Sequence, residues 1–94
     1  MLAFLPKNPA DMMSEISLKF KTRRKALKLT QKELSEKSNV SLGSIKRFEQ
    51  SGQIAFEFLL KLALVLECLE DFEGICGERE EVFESINEIV EDVL

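Results

Sequence analysis

Residues 30–49, TQKELSEKSNVSLGSIKRFE, constrain the chain more than any other stretch. Thr30 followed three residues later by Glu33 is a capping box: the hydroxyl accepts from the Glu33 amide, and the Glu33 carboxylate reaches back to the Thr30 amide. A short helix over about residues 31–38 should follow. Asn39 tolerates the left-handed backbone that a tight turn needs. Ser41 is the next N-cap candidate, and a second helix from Leu42 to about Gln50 should stop before Gly52, a natural left-handed terminator. Two short helices joined by such a turn make a helix-turn-helix. TQKEL taken alone fits any capped surface helix, so the pairing of the two capped segments carries the argument.

The apolar spacing agrees with that pairing. Leu34, Val40, Ile45 and Phe48 occupy the positions that must face inward to lock two helices at a steep crossing, and Ser35 is small where they come closest. Ser41, Leu42, Gly43, Ser44, Lys46 and Arg47 are left facing outward. On Thr30-Gln31, Glu33-Leu34, Val40-Ser41, Ser44-Ile45, Arg47 and Glu49, the stretch resembles the Cro and lambda-repressor, or xenobiotic-response-element, family. The resemblance extends from about Ile16 to Leu69; Asn39 departs from the usual glycine of the turn, a departure asparagine tolerates. It implies an all-α, lambda-repressor-like five-helix DNA-binding domain. It also implies that Arg24 pairs with Glu49, which makes Arg24 a structural residue more than a DNA contact.

The net charge of −4 looks unsuited to a DNA binder until its distribution is read. Residues 1–53 carry eleven Lys/Arg against five Asp/Glu, and residues 54–94 two against twelve. A net of +6 in the first part and −10 in the second allows a local basic face to hold phosphates although the whole molecule is acidic. Ninety-four residues, 45% of them hydrophobic, suffice for one small domain. Met1–Pro6 is too short and lacks the basic segment of a signal peptide, and no apolar run is long enough to span a membrane. Cys68 and Cys76 lack metal-ligand spacing and are expected as buried or half-buried thiols of a cytoplasmic protein.

Along the rest of the chain, residues 1–13, with Pro6 and Pro9, are expected to form an extended or disordered arm. Residues 14–73 should be the DNA-binding domain, its first helix capped by Asp11 or Ser14 and running to about Lys28. Ile16, Phe20 and Leu27 share one face of that helix, and Lys19, Lys21, Arg23, Arg24, Lys25 and Lys28 line the remainder, either solvated or against phosphates. Residues 54–69 hold thirteen apolar residues in sixteen. As a helix they place Phe56, Leu59, Leu62, Ala63 and Leu66 in one core stripe and leave Phe58, Leu60, Leu64 and Val65 outside it. A helix apolar on nearly all sides must be covered twice, by the domain core and by a partner chain or the chain's own C-terminal segment. Residues 78–94 read as an acidic amphipathic helix whose Val82, Ile86, Ile89 and Val93 stripe would supply or share that cover.

An enzyme is poorly supported. The chain has no histidine, Gly-rich phosphate loop or nucleophile elbow, and no cofactor or metal is called for. DNA recognition has the right chemistry: Leu42–Arg47 would enter the major groove. Arg47 is the one side chain there able to contact guanine O6 and N7 with two donors, its alternative role being a phosphate contact. Lys46 is placed toward phosphate; Thr30, Gln31, Ser41 and Ser44 can donate to phosphates near helix N-termini, and Leu42 can touch a thymine methyl. Gly43 either permits a close backbone approach or is neutral. The reading is a sequence-specific regulator of double-stranded DNA acting as a homodimer. Within the family, residues 40–73 are similar to HipB-like antitoxins that repress their own operon beside a HipA-type kinase toxin, which implies a toxin partner. The alternative is a protein-interaction module, or an antitoxin working by direct contact with a partner protein.

Overall fold

Local capping sets the helix boundaries through most of the chain. The computed structural model describes residues 8–77. It contains α1 (Pro9–Ala26), α2 (Gln31–Ser38), α3 (Leu42–Ser51) and α4 (Phe56–Val65), then a 3-10 segment, Leu69–Gly74. No strand occurs among the described residues, as the all-α expectation requires. The C-terminal helix expected over 78–94, with Val82, Ile86, Ile89 and Val93, lies outside the described residues.

The start of α1 corrects the expected arm over 1–13. Asn8, not Asp11 or Ser14, is the cap; its Oδ1 accepts from the Asp11 amide at 2.8 Å. Pro9 takes the first helical position, where its missing N–H would have had no partner in any case. Residues 9–13 are therefore helical. At the other end Leu27 is the C-cap and is 37% exposed, so it does not join Ile16 and Phe20 on the core face.

The two motif helices follow their caps. Both arms of the Thr30/Glu33 box are formed, each at 3.0 Å. Asn39 is left-handed at φ 61°. The turn is braced from two sides: Ser35 Oγ donates to the Val40 carbonyl at 2.6 Å, and the Val40 amide donates to Ser38 Oγ at 3.2 Å. Ser41 Oγ accepts from the Ser44 amide at 3.1 Å and opens α3. Gly52 closes α3 at φ 79°, its amide donating to the Phe48 carbonyl at 2.8 Å. A Cβ at position 52 would sit 2.9 Å from the Met13 backbone, so α1 and α3 meet there without room for a side chain.

α4 departs from its expected span of 54–69. It begins at Phe56 and ends at Val65; Leu66 caps it, and Glu67 turns the chain through the left-handed region at φ 60°. The carbonyls left open by that ending are taken from a distance: Arg23 on α1 donates through Nε to the Leu66 carbonyl at 2.8 Å and through Nη2 to the Glu67 carbonyl at 3.1 Å. The core comprises Phe20, Leu34, Val40, Ile45, Phe48, Leu62, Ala63 and Leu66. Phe20 is edge-on to Phe48 at 5.6 Å and to Phe72 at 6.4 Å. α1 packs on α3, and α2 packs on both α3 and α4.

The core arc of α4 is centred on Leu62, Ala63 and Leu66. This corrects the expected stripe in two ways. Phe58 and Val65, expected outside, border that arc and pack on the core. Phe56, expected inside, is 64% exposed. At a helical period of 3.6, Phe56, Leu60 and Leu64 fall together on the outer side; Leu64 is also 64% exposed and Leu60 is half-buried.

Candidate nucleic-acid interface

α3 is held by its inner face. Ile45 and Phe48 are fully buried, so Gly43, Lys46 and Arg47 are turned to solvent, with Leu42 and Ser44 half-exposed beside them. Arg47 is not loose. Its Nη2 donates to Gln53 Oε1 at 2.5 Å, and the two side chains border a recess with Ser44, Ile54, Ala55 and Phe58.

Behind α3, Arg24 and Glu49 form a two-armed ion pair. Arg24 Nε meets Glu49 Oε2 at 2.8 Å and Nη2 meets Oε1 at 3.0 Å, with both side chains over nine-tenths buried. The third guanidinium nitrogen, Nη1, donates to the Leu29 carbonyl at 2.8 Å. Burial alone would raise the Glu49 pKa, but the hydrogen bonds from Arg24 and Gln31 and the Arg24 charge outweigh it and hold the carboxyl below its ordinary value. α1 and the end of α3 are thereby tied together, which fixes the angle at which α3 is presented.

The remaining candidate contacts divide. Gln31 is drawn inward, its Nε2 donating to Glu49 Oε1 at 3.0 Å, so part of its donor capacity is spent inside the protein. The Ser41 hydroxyl donates to Ser44 Oγ at 2.8 Å, whereas Ser44 there acts as acceptor and keeps its own proton. Thr30 Oγ accepts from the Glu33 amide and likewise keeps its proton to give. On α1, Arg23 is committed to the end of α4, and Lys19 pairs with Glu15 at 3.5 Å, so neither is a plain phosphate contact. Gly43 has no atom within 4 Å of where a Cβ would stand, so nothing inside the protein demands glycine there. Gln53 carries no signal in the sequence, and Arg23, expected to be solvated or against phosphates, is instead bonded to the end of α4; both act through partners whose proximity depends on the folded chain. The Asn8 cap was legible in principle from the Asn-Pro pair ahead of Asp11.

Among the described residues no cluster of His, Cys, Asp or Glu could hold a metal, and no helix is long and apolar enough to cross a membrane. A family model described as helix-turn-helix, of the Cro/C1 and xenobiotic-response-element type, matches residues 20–72, over half of the chain. The chain belongs to this family. No curated protein and no solved structure matches it. The helix-turn-helix protein is accordingly an all-α, lambda-repressor-like DNA-binding transcription regulator of a non-enzymatic family, with the 3-10 segment in the place of the fifth helix.

Proposed function

We propose that this helix-turn-helix protein is a sequence-specific repressor that binds paired half-sites as a homodimer, with α3 in the major groove. The observation that supports it best is Arg47: exposed on α3, close to Ser44 and Lys46, and on a helix whose opposite face is locked by Ile45 and Phe48. An exposed guanidinium on a rigid helix is suited to the two acceptors of guanine. Lys46, Ser44 and Thr30 serve the phosphates around it, and Leu42 a thymine methyl. Selection of duplexes from a random pool, followed by gel shift, tests this. A recovered palindrome bound in preference to scrambled duplex is expected; equal retention of all duplexes would reject sequence-specific repression.

The homodimer rests on the outer side of α4. Phe56, Leu60 and Leu64 form a mainly apolar groove with Leu69, Phe72 and Ile75, edged by Glu70 and Glu73. Of the four α4 residues expected on this surface from the sequence, Leu60 and Leu64 lie on it, while Phe58 and Val65 are half-buried against the core. A single helix-turn-helix buries too little surface for tight specific binding, and two copies joined here would present two recognition helices.

The finer assignment, a HipB-like antitoxin autoregulating an operon with a HipA-type kinase, is supported by the similarity of residues 40–73 alone. Co-expression with the neighbouring gene product tests it: a stable complex is expected, and no complex with a kinase-type neighbour would reject it. The acidic excess of residues 54–94 suits a basic protein surface.

A further inference from the structure

We propose that Gln53 is a specificity-determining positioning residue, which holds the Arg47 guanidinium toward one base pair and turns its own amide toward a neighbouring phosphate. The inference rests on the reading of Arg47 as the base contact. Gln53 lies outside α3, the second residue past its end, yet it is joined to Arg47 twice. Through side chains, Arg47 Nη2 donates to Gln53 Oε1. Through the main chain, the Ser51 hydroxyl donates to the Arg47 carbonyl at 2.7 Å and accepts from the Gln53 amide at 3.2 Å. The loop between has little freedom. Gly52 is left-handed at φ 79° and lies against the Met13 backbone, and Ile54 packs on the core just beyond. The carboxamide is thus delivered to the guanidinium by a fixed backbone.

The chemistry of the contact decides what each partner has left. Arginine has five N–H donors arranged as two edges that can each offer a pair. Gln53 uses one of the two hydrogens on Nη2. Whichever one it uses, one two-donor edge stays whole, and that edge is what guanine O6 and N7 require. A long exposed arginine otherwise loses rotamer freedom when it binds a base; a guanidinium already held gives up less. For Gln53 the contact takes one of the two lone pairs of Oε1 and sets the carboxamide against the guanidinium. Both Nε2 hydrogens are left by this contact, and these donors suit phosphate oxygens.

The test uses the full-length protein and two duplexes: one selected by the wild type from a random pool, and a scrambled version of it. Binding is measured for wild type, Arg47→Ala, Gln53→Ala, Gln53→Glu and the double variant Arg47→Ala/Gln53→Ala. Gln53 is exposed, so each variant should melt close to wild type. Arg47→Ala should reduce the preference for the selected duplex by about 5- to 150-fold. Gln53→Ala should reduce it by about 3- to 10-fold, at the same base pair. The double variant should show no less preference than Arg47→Ala alone, because the two act as one unit. Gln53→Glu should keep the preference within about twofold of wild type, since a carboxylate still accepts from Arg47, while both duplexes bind more weakly beside the added negative charge. Equal weakening on both duplexes by Gln53→Ala would overturn the positioning role. So would multiplying losses in the double variant, or a Gln53→Glu preference as poor as that of Gln53→Ala. A wild type without preference, or an Arg47→Ala variant that retains it, would reject the underlying reading and the inference with it.

Discussion

Single positions on α3 separate the needs of the fold from those of DNA. Gly43 has open space where a Cβ would stand, and glycine inside a helix costs about 1 kcal/mol relative to alanine. Gly43→Ala should therefore raise stability by roughly 0.5–1 kcal/mol in urea unfolding. If operator affinity falls at the same time, the glycine serves close backbone approach to DNA; unchanged affinity makes it neutral. Gly52 behaves differently. Its left-handed φ and the Met13 backbone 2.9 Å from an added Cβ mean that Gly52→Ala should destabilise by more than about 1 kcal/mol and lower the melting temperature. At Arg47 the expected cost of alanine is about 1–3 kcal/mol of specific binding with no loss of stability, read from titrations on selected and scrambled duplexes.

The way α1 holds α3 depends on one buried pair. Arg24→Ala leaves the Glu49 carboxylate buried without its counter-charge and should cost about 3–5 kcal/mol, a large share of the roughly 5–15 kcal/mol that such a domain has. Replacing Arg24 and Glu49 together by apolar residues of similar volume should recover most of it in denaturant titrations. The pH dependence has a definite sign. Glu49 has a folded pKa below its ordinary value of 4.5, so its contribution is complete above 4.5 and fades as pH falls through the lower folded value. In Arg24→Ala the buried carboxyl should titrate above its ordinary value instead. The penalty of the substitution should then shrink as the pH is lowered from 7 toward 4, which melting curves across that range would reveal.

Along the whole chain, residues 1–53 carry the basic excess and residues 54–94 the acidic one. With α3 toward DNA, the outer side of α4 is expected away from the phosphates. Sedimentation should detect a dimer at tens of micromolar. The double substitution Leu60→Glu/Leu64→Glu should yield folded monomer with intact circular dichroism and weakened operator binding, since neither residue is in the core. A wild-type monomer at that concentration would count against the dimer. DNA affinity should fall with salt at a log–log slope of about −0.9 per phosphate contacted, despite the net charge of −4.

The helix-turn-helix was legible because its information is local. A capping box, an asparagine in the turn, a serine cap and a terminating glycine act within a few residues of themselves, and each adopts the expected conformation. Leu34, Val40, Ile45 and Phe48 were legible for the same reason, since two short helices in fixed register allow one inward face. The Arg24–Glu49 pairing was accessible through family resemblance and not through spacing. What escaped depends on distant parts of the chain. The largely apolar run over 54–69 contained no stop signal that periodicity could see; α4 ends at Val65, with Arg23, more than forty residues earlier, donating to the Leu66 and Glu67 carbonyls just beyond it. Which of Phe56, Phe58, Leu60, Leu64 and Val65 faces inward was undecidable from a stripe apolar all round, and packing against α2 settled it. At the interface, Arg47 was identifiable as an exposed donor. That Gln53 holds it depends on the backbone path that Gly52 takes past Met13, a contact between α3 and α1 that exists only once the core has formed.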